Sequence, residues 1–198
     1  MTSTPFLMHG PQFAKNYVNS YLEEDIPVRL VDYRNGWGVD DITLPTPESF
    51  FTHEPLALDA WPTVITVVIS TSRLERIGYD SIDPLYRVNY SMRTYVWVRT
   101  EGAQEATVMR DRLTTTVRSA LLDYPCLKAT DPRDSFRAII DEGSMREEFS
   151  DLTLLKGDRF LAGAYISYDL AIDEIVARRN IGIVSTFDVE LNSLPHQL

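Results

Sequence analysis

One cysteine, three lysines and three histidines are spread over 198 residues. The lone cysteine, Cys126, excludes an internal disulfide framework and suits a reducing compartment. Beside Pro125 it reads as a small buried hydrophobe at a helix end. His9, His53 and His196 lie far apart, each in a loop or terminus, and no HxxH, HExxH or CxxC occurs, so no metal site is expected. The glycines form no phosphate cradle: Gly36-Trp37-Gly38 is followed by neither a helix nor a lysine. No serine sits in GxSxG, and no Cys-His pair has an informative spacing. The residues therefore name no catalytic group and no cofactor, and the chain is not expected to be an enzyme. No stretch approaches the ~18 apolar residues of a membrane span. The N-terminal MTSTPFLMHG has no charged region followed by an apolar run, so a soluble, unexported protein is expected.

Positive charge is also scarce. The net charge is −10 and the pI is near 4.7. A protein that binds nucleic acid by neutralising phosphates clusters Lys and Arg, and this chain does not. An acidic surface can still serve beside DNA, as one that DNA slides past without sticking. A chain of this length buries roughly 70% of the surface its unfolded form exposes, so one domain can hold itself without disulfide or metal.

What is present is periodicity. Tyr86, Val88, Tyr90, Met92, Thr94, Val96 and Val98 alternate with Arg87, Asn89, Ser91, Arg93, Tyr95, Trp97 and Arg99, the period of two of a half-buried strand. After the breaker Thr100-Glu101-Gly102 the period becomes 3.6. Ala106, Met109, Leu113, Val117, Ala120 and Tyr124 then share one helical stripe, with Val108 and Leu122 projecting away from it. Tyr124-Pro125 ends that helix, because proline disfavours the α conformation of the residue before it.

Elsewhere the pattern predicts a short helix over 11–25, closed by Pro27, and an extended segment in PVRLVDYR. Residues 35–62 have little periodicity, several prolines and the aromatics Trp37, Phe50, Phe51 and Trp61, and read as a long loop insertion. A connection of that length without regular structure is usually functional or disordered. The aromatic content argues against disorder and leaves two readings, a compact loop packed on its own side chains or a partner-binding loop. TVITVVIS (63–70) is apolar on both faces and reads as a central strand covered on both sides. TSRLERIGYDSIDP reads as a polar connection. A strand is expected near Phe136–Ile140, followed by an acidic run, Asp141 to Glu148, that reads as a solvated hairpin tip. RFLAGAYISYDLAIDEIV alternates again. The expected fold is α+β, a mostly antiparallel sheet backed by two main helices. Residues 1–178 are expected to form a single domain and 179–198 a C-terminal extension. The long strands, 86–98 and 160–176, outrun the helix and are expected to protrude as a ribbon that a neighbouring subunit covers.

YRVNYSMRTYVWV leading into ATVMRDRLTTTVRSALLDYP, a variable segment, and then FLAGAYISYDLAIDE ending in an acidic residue resembles the tail terminator (tail completion) proteins of long-tailed bacteriophages, especially those of actinobacterial phages. The resemblance runs from Thr63 to Ala177. It implies a structural virion protein at the tail–neck junction, assembled in the host cytoplasm. There it forms a six-fold homo-oligomeric ring on the tail tube, ends tube growth and meets the head-tail connector, while DNA passes through the lumen without specific binding. On that reading Trp37, Phe50, Phe51, Trp61 and Trp97 are candidate partner-binding anchors, since Trp and Tyr are enriched among interface hot spots. Asp40, Asp41, Glu142 and Glu147 are candidate lumen acids. The alternatives are a head-closure or connector protein, a tail-tube subunit, or a small α+β enzyme or ligand-binding domain.

Overall fold

The computed structural model describes residues 10–55, 58–80, 83–123, 138–155 and 159–175. The last residues of the chain, including the expected extension over 179–198, lie outside them, as do Cys126 and the Tyr124-Pro125 pair.

The first helix, α1, runs from Pro11 to Trp37 and passes through Pro27. The expected break at Pro27 does not occur, and PVRLVDYR is helical rather than extended. Proline inside a helix loses one hydrogen bond and costs about 3 kcal/mol. Tertiary contacts offset that cost. Val18, Leu22, Ile26 and Leu30 are fully buried along one face. The Tyr21 hydroxyl donates to the Ala120 carbonyl at 2.7 Å. Arg29, two residues past the proline, bridges Asp25 at 2.7 Å and Asp123 at 2.8 Å. The helix stops at Gly38, whose φ of 63° is left-handed and therefore suits glycine, and the Val39 amide closes back on the Arg34 carbonyl at 3.0 Å.

Residues 35–62 are likewise not a free loop. Leu44 is fully buried. The Arg34 guanidinium donates to the Leu44 carbonyl at 2.8 Å and to the Thr46 hydroxyl at 2.9 Å. A short strand, β1 (Ser49–Phe51), then adds in parallel to β2 (Thr63–Asp80), pairing Ser49 with Thr63. The polar connection expected after residue 70 is the second half of β2, which forms a long hairpin with β3 (Asp83–Thr100). Helix α2 spans Ala103–Asp123 and is followed by β4 (Ala138–Phe149), β5 (Thr153–Leu155) and β6 (Arg159–Ile175). The acidic run expected as a hairpin tip lies inside β4, where the register against β6 shifts between Asp141 and Arg146.

The sheet order is β1-β2-β3-β6-β4, with β5 also on β6. Among the described residues only the β1–β2 pairing is parallel. The protein is thus an α+β fold, a mostly antiparallel sheet backed by two helices among the described residues. The alternation in β3 sorts as expected: Val88, Tyr90, Met92, Thr94, Val96 and Val98 are buried. They meet Ile166, Tyr168, Leu170 and Ile172 of β6, together with Leu113, Val117 and Leu121 of α2, in one core. Val108 and Leu122 are exposed on α2, as their position off the stripe implied. TVITVVIS is buried on both faces only as far as Val67, since Ile69 is half-exposed. The expected ribbon is also displaced. The outer halves of β3 and β6 are covered, and the bare strand is β2, where every residue from Ile69 to Ile77 is exposed.

Three tyrosines tie the core to pH. Burial pushes Tyr21 up to about 12, helped by the Asp25 carboxylate. Burial, and then the hydrogen bond to Glu174, raise Tyr90. Burial raises Tyr168, whose hydroxyl lies 3.0 Å from that of Thr94. A phenol raised on folding contributes stability that is intact below its unfolded value near 10 and is lost as pH climbs toward the folded value. Stability should therefore fall progressively above about pH 10. Tyr168→Phe should cost about 1 kcal/mol at neutral pH, through the lost hydrogen bond, and flatten the alkaline decline. Urea midpoints measured across that pH range check both, and an unchanged alkaline slope would contradict the assignment.

Candidate assembly surfaces

The face of the sheet away from the helices carries the odd-numbered residues of β3 and β6. Their alternation places charged and aromatic groups in rows across the strands. Arg87 makes a two-pronged contact with Asp173 at 2.8 and 3.0 Å, which raises its own pKa. The Ser91 hydroxyl donates to Asp169 at 2.8 Å. The Arg93 guanidinium lies 4.2 Å from the Tyr165 ring centroid and donates to the Tyr95 hydroxyl at 3.1 Å. A hydrogen bond to Glu148 raises the pKa of Tyr165. Arg99 stacks over Trp61 at 4.9 Å. Cation–π contacts of this kind contribute about 0.5–1 kcal/mol each at exposed sites. The result is a face of mixed sign whose arginines are held by neighbouring acids and rings, not a stripe of arginines offered to phosphate.

The five sequence-predicted anchors do not form one patch. Phe50 packs toward the core, and Phe51 lies edge-on to His53 with centroids 5.6 Å apart. Trp61, under Arg99, has its indole nitrogen buried without a hydrogen-bond partner. Trp97 lies on the open face against Gly163. Trp37 sits apart at the end of α1, stacked on Tyr33 at 4.8 Å, with Arg112 at 5.7 Å from its ring.

The four acids are not gathered either. Asp40 accepts the Thr43 amide at 2.8 Å; hydrogen bonds from the Thr43 side chain and then from that amide hold its carboxyl below the usual range, and Asp41 is exposed beside it. Glu142 is exposed within the irregular part of β4. Glu147 points to the helix side and accepts from Arg118 of α2 at 3.1 Å, so its charge is already engaged.

Among the described residues the surface is indented by grooves that include two of about 410 Å³ each. One runs along α1 beside Phe13, Tyr17, Tyr21, Glu24 and Val28. The other is polar and lies among Glu48, Asp59, Trp61, Arg99, Glu101 and Arg159. Its one hydroxyl, Thr100, donates to the Gly102 carbonyl at 2.7 Å. It offers charges of both signs and no nucleophile held by a base. Among the described residues no group of three or more His, Cys, Asp and Glu could hold a metal. No helix among them is long and apolar enough to cross a membrane.

Sequence reasoning missed the outer half of β2. Ile69, Leu74, Ile77 and Tyr79 are exposed there, Leu74 at 64%. Beyond β1 the strand has no second partner among the described residues. The signal was present, because Ile69, Thr71 and Ile77 are β-branched and no proline interrupts the run.

Compared with known protein families and curated proteins, the chain matches no family model and no curated sequence.

Trp97 packs closely over Gly163 on the open face. A β-carbon at Gly163 would lie 2.5 Å from the Trp97 ring. Gly163→Ala should cost about 1–3 kcal/mol by overpacking. In a Trp97→Ala background the same change should cost little, and a denaturant double-mutant cycle measures that coupling.

Proposed function

We propose that this chain is a structural, non-catalytic virion subunit that caps the tail tube of a long-tailed bacteriophage as a ring. In that role it ends tube polymerisation and joins the tail to the head-tail connector. The observation that carries the reading is the bare outer half of β2. A strand with one open edge and several exposed apolar side chains is an aggregation hazard in a free subunit and an asset in one that assembles. The α+β architecture agrees with what the resemblance implies. The net charge of −10 suits a passage that DNA must cross without adhering. The ring meets the tube on one side and the connector on the other, while its own copies meet through two unlike patches.

Electron microscopy of a lysate in which this gene is disrupted tests the role. Abnormally long tails detached from heads are expected. Tails of normal length beside unattached heads would move the protein to the connector and remove the terminator assignment.

A further inference from the structure

The sheet ends in two unlike edges. On one, β1 covers β2 only from Thr63 to Ile65, and the strand beyond is bare. On the other, β4 pairs only with β6 among the described residues, and Asp141, Glu142, Arg146, Glu148 and Phe149 are exposed along it. We propose that the bare half of β2 in one copy adds to β4 of the next copy, so that the sheet continues from subunit to subunit. The inference rests on the ring reading, which requires two different, complementary patches on each chain.

Three independent features favour this partner. The first is strand direction. β2 is antiparallel to β3, β3 to β6, and β6 to β4, so β2 and β4 of one chain run in opposite directions. Copies set side by side in the same orientation therefore bring β2 and β4 together antiparallel, which is the more stable pairing. The second is length: β4 has 12 residues, enough to take up an exposed run such as that from Ile69 to Ile77 of β2.

The third is chemistry. Arg73 and Glu75 pair with Asn89 and Arg87, and so lie on the open face of the sheet. Arg146 and Glu148 pair with Ser167 and Tyr165, which places them on that same face. An antiparallel register that sets Arg73 opposite Glu148 also sets Glu75 opposite Arg146. Two opposite-charge pairs then form across the junction, on one face, from a single register, in exchange for the exposed Arg73–Glu75 contact at 2.8 Å within β2. Main-chain hydrogen bonds would supply the affinity and these pairs the register, as in strand addition generally. The register shifts at Val68/Ser70, Thr71/Arg73 and Arg76/Gly78 make the β2 edge irregular, which discourages pairing with flat, unrelated edges.

Disulfide trapping on the full chain tests the junction, with Cys126→Ser removing the native thiol. Arg73→Cys combined with Glu148→Cys, and separately Glu75→Cys combined with Arg146→Cys, place thiols at facing positions within the reach of a disulfide. Arg73 and Glu75 are at least half exposed, so the fold tolerates these changes, and near-UV circular dichroism verifies that it does. Under mild oxidation, at chain concentrations up to about 1 mM, each double variant should give a reducible ladder of linked oligomers. Each single variant should stay a monomer. Folded double variants without a ladder would overturn the proposal. So would dimers from Arg73→Cys alone, which would mean that β2 pairs with itself. Long tails in the lysate without a ladder would keep the cap and remove this junction, whereas a ladder with tails of normal length would keep the junction and remove the cap.

Discussion

The register between β3 and β6 is the constraint on which the rest of the molecule depends. It runs unbroken from Leu85 opposite Ile175 to Thr100 opposite Phe160. Side chains alternate with a period of two, so a slip of one residue would turn every one of them to the other face. Arg87, Arg93 and Arg99 would then lie beneath the helices, at a cost of several kcal/mol for each unpaired ion. The buried hydroxyls add a finer demand. Thr66, Thr94 and Tyr168 stand in a chain, 3.3 and 3.0 Å apart, inside the apolar layer. They satisfy one another only when three strands are in register, and a buried hydroxyl left alone costs about 1–3 kcal/mol.

The helices take their positions from that buried face. α2 lays Leu113, Val117 and Leu121 on it, and α1 packs beside α2 and over β2. Once the two helices are in contact, Arg29 bridges from α1 to Asp123 at the end of α2, and the Tyr21 hydroxyl reaches the Ala120 carbonyl. These contacts carry α1 through Pro27. In isolation the proline would end the helix, whereas here the residues on both sides of it are already anchored.

Irregularity is confined to the outer strands. The β3–β6 pairing has no register shift, while β2 has three and β4 has one. Bulges bend and twist a strand and are common at sheet edges, where they limit indiscriminate pairing. The open face between those edges is occupied by its own ion pairs and cation–π contacts, so the surface still available for association lies at the rims. A regular centre with irregular, exposed edges would serve the assembly proposed above, where the fold must be stable first and the contacts selective.

Local pattern was enough for much of this. Alternation over 86–98 and 160–175, the change to a 3.6 period after Gly102, and the buried stripe of α2 depend on neighbours within a few residues, and the sequence determined them by itself. It also determined the acidic charge and the absence of sequence motifs for metal or phosphate. Four features depended on partners distant in the chain, and only the tertiary structure decided them. Pro27 lies inside a helix because α2 and the core hold its flanks. Residues 49–51 form a strand because β2 offers an edge, and Leu44 is buried because Arg34 pins the turn. The segment after residue 70 is a strand because β3 lies beside it. The candidate anchors are dispersed because the pleat sends Phe50 and Phe51 to opposite faces, and Glu147 is neutralised by Arg118 across the layer. A periodic sequence states which face of an element is apolar; the structure decides what that face meets, and therefore which edges remain bare.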